Sequence, residues 1–257
     1  MNQKQIKKRL QKGEVLIGGW ISMGHPGIAE IMARAGYDWV VVDLEHSVIS
    51  IETAADLIRV IDLCGSVPLV RLTSNQPDQI KRVMDAGAHG IIVPMVNTVE
   101  DAKQAVDAVR YAPDGSRGVG LARAQGYGID FKDYLEWQKK ESLVIVQIEH
   151  KQALEALEPI LKVPGVDGLI IGPYDLSCSM GIPGMFEHPD FKKAMDYILE
   201  TGIKLSVPTG LHIVEPNEEQ LAKCVNDGYR FIAYSVDIRI LDVVARKGIA
   251  KFRELKQ

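Results

Sequence analysis

Cysteine is scarce in this 257-residue chain, in which Cys64, Cys178 and Cys224 lie far apart and form no CxxC pair. Three scattered thiols do not build a disulfide framework, and no cluster of His and Cys residues marks a dedicated zinc site. A small, odd number of cysteines is typical of reduced thiols inside the cell. We therefore predict a cytoplasmic protein.

Long apolar runs are also missing. No stretch approaches the roughly 18 apolar residues that a membrane-spanning helix needs. The Lys- and Gln-rich residues 1–13 lack the apolar core of a signal peptide. Neither sign of charge dominates, because the net charge is −4 and both signs are spread along the chain. A nucleic-acid-binding protein would show a basic patch. We expect neither a membrane segment nor a nucleic-acid partner.

The sequence instead alternates between apolar, strand-like runs and segments with apolar residues at helical spacing. We predict eight strands, at residues 16–22, 39–45, 67–72, 90–96, 143–150, 168–171, 205–209 and 231–236. Helices are predicted at residues 26–36, 51–64, 77–86, 99–111, 131–140, 152–161, 191–201, 218–227 and 238–255. Residues 113–130 and 177–188 show no period and are predicted as loops.

This alternation predicts an α/β fold made of parallel βαβ units, and eight such units predict a closed (β/α)8 barrel. Because no polar linker separates two halves, we expect residues 1–257 to form a single domain. A doubly wound sheet is the alternative. It would normally show a glycine-rich phosphate turn after the first strand, where this chain has Ser22-Met-Gly-His-Pro26.

Two predicted strands are followed by carboxylates. The apolar run that starts at Leu143 leads to Gln147 and Glu149, which are two residues apart and point to the same side of a strand. The strand at 168–171 is followed by Asp175. Each acid could instead cap the helix that follows its strand. Because the carboxyl ends of barrel strands meet at the active-site face, the pair favours a metal site.

The chemistry of these side chains narrows the kind of site. Oxygen ligands alone suit Mg²⁺ or Mn²⁺, although Co²⁺ or Zn²⁺ can substitute. Arg71 ends a strand, and its permanent charge suits an oxyanion or a carboxylate. His46 follows a strand and can act as an acid or a base near neutral pH.

Plainer interpretations exist for the arginine and the histidine. A strand-end arginine often pairs with a structural acid, and a lone histidine is often a satisfied polar group. The convergence of base, cation, amide and two carboxylates on one face favours a site. A Schiff-base lysine is the rival way to activate a carbonyl substrate. No lysine ends a predicted strand, and Lys204 is expected at the start of the seventh strand, at the opposite end of the barrel.

Four segments then resemble a known family: Asp43-Leu-Glu-His46, Pro68-Leu-Val-Arg71, Gln147-Ile-Glu149 and Gly172-Pro-Tyr-Asp175. Together they resemble the HpcH/HpaI family of class II pyruvate aldolases, of which 4-hydroxy-2-oxoheptanedioate aldolase is an example. The loop at residues 115–120, Arg123 and the stretch at 85–94 also fit. The resemblance runs from about residue 18 to residue 237, and its segments occur in the family's order.

The resemblance implies a barrel of the phosphoenolpyruvate/pyruvate type. It also implies reversible cleavage of a 4-hydroxy-2-oxo acid into pyruvate and an aldehyde, through a pyruvate enolate on a divalent metal. The implied metal ligands are Glu149 and Asp175. Arg71 would stabilise the enolate oxygen, and His46 would be the base, acting through a metal-bound water. The residues implied to hold the pyruvate end are Gln147, Gly172, Pro173, Tyr174 and Asp175.

Two positions leave alternatives open. The resemblance implies that Asp85 raises the basicity of His46, but the predicted topology places Asp85 at the opposite end of the same barrel. Asp85 therefore either reaches a neighbouring subunit's site or has a structural role. The position of Tyr174 often holds a smaller residue, such as Ala, in the family. Tyr174 could narrow the pocket or add a hydroxyl, so the aldehyde is left open.

The last predicted helix bears on assembly. Its apolar residues spread over more than one face, whereas a barrel's own eighth helix needs one apolar stripe. The resemblance implies that this helix is exchanged between barrels in a homohexamer, a trimer of dimers. The alternative is a deeply buried final helix within one barrel.

Two further functions compete with a pyruvate aldolase. One is another enolate chemistry on the same site, such as citrate-lyase-like thioester cleavage or decarboxylation. The other is a barrel that binds a metabolite without catalysis. The first would need a basic surface for coenzyme A, which the sequence does not show. The second is disfavoured because base, cation and both carboxylates are present.

Overall fold

Eight parallel strands close into a barrel in the computed structural model, which describes residues 5–256. The strands follow one another around the barrel in chain order, and β8 pairs with β1. They are β1 Leu16–Ile21, β2 Trp39–Asp43, β3 Val67–Arg71, β4 Gly90–Val93, β5 Leu143–Ile148, β6 Gly168–Ile171, β7 Thr209–Ile213 and β8 Phe231–Tyr234. The prediction of a closed (β/α)8 barrel is confirmed.

Helices connect the strands on the outside. They are α1 Ile6–Gln11, α2 Pro26–Arg34, α3 Ile51–Leu63, α4 Pro77–Asp85, α5 Val99–Val109, α6 Phe131–Glu141, α7 Lys151–Glu155, α8 Leu157–Leu161, α9 Pro173–Ser179, α10 Pro189–Leu205, α11 Glu218–Asp227 and α12 Asp237–Glu254. A 3-10 helix, Arg123–Gly128, interrupts the loop predicted at 113–130. No helix of residues 5–256 is long and apolar enough to cross a membrane.

The barrel interior is a packed core of large side chains. Trp39 and Phe231 stack at 4.0 Å between ring centroids. The indole of Trp39 passes so close to Gly18 that a Cβ on residue 18 would lie 2.1 Å from it, so only glycine fits there. A second, larger core lies between the strands and the outer helices. The interior is therefore closed below the carboxyl ends of the strands.

The helix α1, which the sequence analysis does not predict, closes the amino end of the barrel. Its Ile6 and Leu10 join the interior core. Its buried Lys7 pairs with Asp167 at 2.8 Å and donates to the carbonyl of Ser142. Because both partners directly precede strands, α1 covers the end where the strands begin. The opposite end is the open one.

The prediction of a seventh strand at residues 205–209 is wrong. The helix α10 continues to Leu205 and ends at Ser206, which has a φ of 57°. The strand β7 begins at Thr209, and its Leu211 and Ile213 belong to the outer core. Because its apolar and polar residues alternate, it lacks the continuous apolar run of the other strands. Lys204 therefore lies in the last turn of α10, where it pairs with Glu158 at 2.6 Å.

Two other elements differ from prediction. The loop predicted from residue 177 begins later, because α9 follows β6 directly and Pro173 occupies its first turn, where a missing N–H costs nothing. The helix predicted at 152–161 is divided at Ala156 into α7 and α8. Pro159 explains the break, since it has no N–H to donate to the carbonyl four residues earlier.

Candidate active site

A cavity of about 330 Å³ opens at the carboxyl ends of the strands. Most of the predicted site residues line it, namely His46, Arg71, Gln147, Gly172, Pro173, Tyr174 and Asp175. Glu149 lies directly behind the wall, hydrogen-bonded to Gln147. The fold thus brings together all the predicted site residues except Asp85.

Arg71 is held in place by Asp43. The register of β2 and β3 sets the two residues side by side. The guanidinium donates from Nε to Asp43 Oδ1 at 2.9 Å and from Nη2 to Oδ2 at 2.6 Å. Its Cζ lies 5.0 Å from the ring centroid of Trp20. Arg71 does pair with an acid, as the plainer interpretation holds, and this pairing fixes the direction of its remaining N–H groups.

Burial raises the pKa of Asp43, but the hydrogen bonds and charge of Arg71 outweigh burial, and the net pKa lies below the ordinary value. Asp43 is therefore a carboxylate at neutral pH. A permanently ionised partner stabilises the guanidinium in one geometry, since a bidentate pair is both charge-assisted and directional.

Glu149 lies at the end of β5 and is almost fully buried, with 3% of its surface exposed. Its Oε2 accepts from the Gln147 amide, and its Oε1 accepts from the backbone N–H of Met95 at 2.6 Å. The pKa of Glu149 is raised above its ordinary value, mainly by burial and in addition by the charge of Asp175. The hydrogen bonds from Gln147 and Met95 oppose this rise without cancelling it. At Gly172, a Cβ would lie 2.8 Å from Glu149, so only glycine lets β6 end this close.

Neither predicted carboxylate caps a helix. The cap of α7 is His150, whose Nδ1 accepts from the N–H of Gln152. The cap of α9 is Gly172, and Asp175 lies in the first turn with its side chain exposed. The interpretation of Glu149 and Asp175 as helix caps is therefore wrong.

Glu45, within the segment Asp43-Leu-Glu-His46, lies in the site but was not predicted as a site residue. Its Oε2 lies 3.1 Å from Arg71 Nη1 and 4.0 Å from His46 Nε2. That oxygen is buried and makes no hydrogen bond within residues 5–256. The pKa of Glu45 is raised to about 7, and burial is the largest cause. The charge of Arg71 opposes this rise, whereas the charges of Glu149, Asp43 and Asp175 add to it. Its place directly before His46 was the available signal.

The donor set at this end of the barrel fits a divalent cation. Glu149 and Asp175 supply only oxygen and repel each other, and the buried oxygen of Glu45 nearby lacks a hydrogen bond. No group of three or more His, Cys, Asp or Glu residues in the described chain forms a complete metal cage. A complete cage is not required, because Mg²⁺ is usually held by one or two carboxylates with water and substrate.

His46 lies in the loop after β2, and 67% of its side chain is exposed. Asp85 ends α4, and its carboxylate pairs with Arg117, which is buried and also donates to the Tyr134 hydroxyl at 2.9 Å. This cluster precedes β4, at the end of the barrel where the strands begin. One chain therefore does not bring Asp85 to its own His46.

Two aromatic features complete the cavity. Tyr174 is 59% exposed and meets the ring of Phe186 edge-on at 4.9 Å, so it stands at the rim. Around the barrel from Tyr174, Trp20 of β1 stacks on His212 of β7, with 4.6 Å between ring centroids. His212 was not among the predicted site residues, because the seventh strand was predicted at residues 205–209 and β7 is Thr209–Ile213.

Comparisons with known proteins agree with the geometry of the site. A model of the HpcH/HpaI aldolase/citrate lyase family matches residues 16–242. A 2-keto-3-deoxy-L-rhamnonate aldolase of Escherichia coli (strain K12) is 37% identical over 257 residues, covering 98% of this chain and 94% of the relative. The chain belongs to the HpcH/HpaI aldolase/citrate lyase family. The predicted resemblance is confirmed.

Solved structures of similar proteins share the whole HpcH/HpaI barrel. A family member from Burkholderia cenocepacia J2315 is 35% identical, with a TM-score of 0.92, 98% of this chain covered and 100% of that one. A citrate synthase, SbnG, is 29% identical, with a TM-score of 0.87 and 99% of each chain covered. This HpcH/HpaI protein is thus an enzyme, a carbon–carbon lyase, and its relative that is 37% identical is named as an aldolase.

Proposed function

We propose that this protein is a metal-dependent class II aldolase that reversibly cleaves a 4-hydroxy-2-oxo acid into pyruvate and an aldehyde. The observation that carries the proposal is that Arg71, fixed by Asp43, faces the same cavity as Gln147 and Asp175, with Glu149 directly behind. The relatives named 2-keto-3-deoxy-L-rhamnonate aldolase support it. A 2-keto-3-deoxy sugar acid carries the 2-oxo and 4-hydroxy groups that this cleavage requires.

Glu149 and Asp175 would hold the metal, with Mg²⁺ or Mn²⁺ preferred by their oxygen ligands and Co²⁺ or Zn²⁺ as substitutes. When bound, the cation would act as a Lewis acid that polarises the keto group of the substrate. Gln147 and the Met95 amide hold the Glu149 carboxylate in one orientation. Such supporting contacts normally fix the geometry of a metal ligand.

The other polar groups would bind the 2-oxo acid. Arg71 has a guanidinium fixed by Asp43 and Trp20, and it would stabilise negative charge that develops on the C2 oxygen. The backbone N–H groups of Tyr174 and Asp175 lie in the first turn of α9, where a helix has no internal acceptors. They suit the carboxylate of pyruvate. Tyr174, at the rim, would meet the aldehyde portion.

Exchange of the C3 protons of pyruvate with deuterium is the direct test. We expect exchange, followed by NMR, that needs Mg²⁺ or Mn²⁺ and stops when EDTA removes the metal. Metal-dependent exchange without aldehyde shows that the site enolises pyruvate. Absence of exchange with Mg²⁺, Mn²⁺, Co²⁺ and Zn²⁺ would remove the aldolase proposal.

His46 would transfer the proton. We expect His46→Ala to slow pyruvate proton exchange by about 10²-fold, at the lower end of the usual effect of a general base, because the exposed site admits water and buffer. A suitable control is His188→Ala, which removes the cap of α10 away from the cavity. Near-normal exchange in His46→Ala would assign the base to another group, of which Glu45 is the nearest.

The helix α12 would complete a homohexamer, a trimer of dimers, by exchange between barrels. Asp237 is the only buried residue of this helix, and it accepts from Ser22 and Met23 at the end of β1. Beyond it, large apolar side chains are exposed: Ile238, Leu241, Val244, Ile249 and Phe252. Such a row on an uncovered helix is typical of an interface. In an exchanged assembly, Asp85 would act on a neighbour's His46.

Light scattering at micromolar concentration tests this assembly. We expect about six times the 28.4 kDa mass of one chain. The substitution Leu241→Glu should reduce the mass, because it places a charge in the apolar row, whereas Lys247→Glu on the same helix should not. A monomer that turns over at the normal rate would contradict both the assembly and the role of Asp85 across subunits.

A second candidate is carbon–carbon chemistry on a citrate-type substrate, which the similarity to the SbnG citrate synthase favours. Citrate cleavage and formation, measured with the same metals, distinguish it from pyruvate chemistry. Among the remaining expectations, decarboxylation on the same site, reduced thiols and a cytoplasmic location stay predictions.

A further inference from the structure

The cavity wall carries a single permanent cation. Arg71 is the only lysine or arginine that lines the cavity in the part of the chain that the structure describes. Its guanidinium is bonded to Asp43, and its Nη1 lies 3.1 Å from Glu45. His212 also lines the cavity, but burial lowers its pKa to about 4, so its ring is neutral at pH 7. The one permanent cation is therefore already shared with two acids.

The negative charges around the cavity already balance the positive ones. Glu149 and Asp175 would offset the charge of a divalent cation. Asp43, whose pKa lies below its ordinary value, offsets Arg71. The carboxylate of the 2-oxo acid adds a further negative charge when it binds. A second carboxylate on the substrate would find no positive group left, and an unpaired charge inside a cavity is costly.

The wall at the ends of β7 and β8 is apolar. Val214 follows β7, Val236 follows β8, and Ile238 lies in the first turn of α12. Their side chains offer hydrocarbon surface and no polar atom. Ile238 is 47% exposed, so it stands at the mouth of the cavity. Whatever part of a substrate reaches this wall finds no side-chain donor for a carboxylate.

The arginine next to this wall is already occupied. Arg239 does not line the cavity. It donates to both carboxylate oxygens of Glu215 at 2.9 Å and to Asp242 at 2.6 Å. A neighbouring copy in the proposed assembly would not supply the missing charge either. The group that it would bring is Asp85, an acid, and the Arg117 paired with that acid is fully buried.

We infer that this site takes 4-hydroxy-2-oxo acids with a single carboxylate and rejects dicarboxylic ones, so that the aldehyde it releases is uncharged. The inference rests on the proposed function, because it names the substrate class of the same site. It requires no particular position of the aldehyde, since a free cation is missing from the whole described lining of the cavity. An unpaired charge on the wrong substrate is a common source of specificity.

The test uses a matched pair of aldehydes, butanal and 4-oxobutanoate, in which a carboxylate replaces the terminal methyl group. Their addition to pyruvate is measured with Mn²⁺ in the wild-type enzyme, Ile238→Arg and Ile238→Gln. We expect kcat/KM in the wild type to be at least about tenfold higher for butanal, the effect of one unpaired charge.

A cation added at the mouth should weaken this preference. We expect Ile238→Arg to lower the ratio of kcat/KM for butanal over 4-oxobutanoate about three- to fivefold, as an exposed ion pair does, and less at high salt. Ile238→Gln is the control, because it adds polarity without charge and should leave the ratio unchanged. Val214→Arg repeats the test at a position outside α12, and therefore independently of the assembly.

The outcomes separate this inference from the proposed function, because exchange of the C3 protons of pyruvate is followed in the same samples. A wild-type enzyme that uses 4-oxobutanoate as well as butanal overturns the inference and leaves the aldolase proposal standing. An unchanged ratio in both arginine variants does the same. Exchange without addition to either aldehyde also overturns the inference, while the enolate chemistry stands. No exchange with any of the metals overturns the proposed function and, with it, this inference.

Discussion

Glu149→Gln is expected to lower metal-dependent turnover by about 10³-fold or more. Loss of one oxyanion donor lowers kcat by about 10²–10³-fold, and loss of a charged metal ligand should cost more. The substitution removes the charge that a divalent cation requires and changes little else. The new side chain keeps an oxygen to accept from the Met95 N–H, and Gln147 can rotate its amide to accept from the new NH₂ group. Asp175→Asn should act in the same way.

The measurement has two parts. Mn²⁺ affinity, measured by calorimetry, should fall by at least about 100-fold. Loss of a residue that only supports a metal ligand costs up to about 100-fold in affinity, so loss of the ligand's own charge should cost at least as much. The matched control is Glu136→Gln, the same change on the exposed face of α6, which should alter neither affinity nor rate. Normal turnover of Glu149→Gln at ordinary metal concentration would count against a metal at this position.

Arg71→Lys should lower kcat by about 10²–10³-fold although the positive charge is kept. Arg71 uses Nε and Nη2 to hold Asp43, which leaves Nη1 beside Glu45 and the cavity. Lysine has a single nitrogen, so it cannot hold Asp43 and present a directed donor to the substrate at once. The loss should appear in kcat more than in KM, because the interaction strengthens as charge develops on the C2 oxygen.

A control separates chemistry from charge and folding. Arg59→Lys makes the same change at an exposed pair with Asp56 on α3, and it should leave kcat unchanged. Urea unfolding of Arg71→Lys shows whether the protein remains folded under assay conditions. A folded Arg71→Lys enzyme with nearly full kcat would show that the planar guanidinium is not needed.

Much of the candidate site could be predicted because each residue follows a strand. Buried parallel strands are continuous apolar runs, so the first polar residues after them stand out, as Arg71 and Glu149 do. The barrel rule then brings those strand ends to one face. The strand β7 could not be predicted in this way, because its apolar and polar residues alternate and do not form a continuous apolar run. His212, which lies in β7, was therefore not predicted.

Other features depend on contacts that no local pattern contains. The raised pKa of Glu45 follows from its burial and from the charges of three other carboxylates, which outweigh the charge of Arg71. Asp85 has Arg117 as its partner, 32 residues later, inside a loop that shows no period. The helix α1 has only six residues, and its Ile6 and Leu10 are buried because they pack on the interior core of the barrel.

By itself, the sequence determined that the chain forms a (β/α)8 barrel and which polar residues stand at the strand ends. It could do so because strand and helix periodicity are local, and because closing parallel strands leaves one face for their carboxyl ends. Only the tertiary structure decided how those groups are paired, Arg71 with Asp43 and Glu149 with Gln147. Pairing depends on side-chain direction and burial, which packing between distant parts of the chain sets.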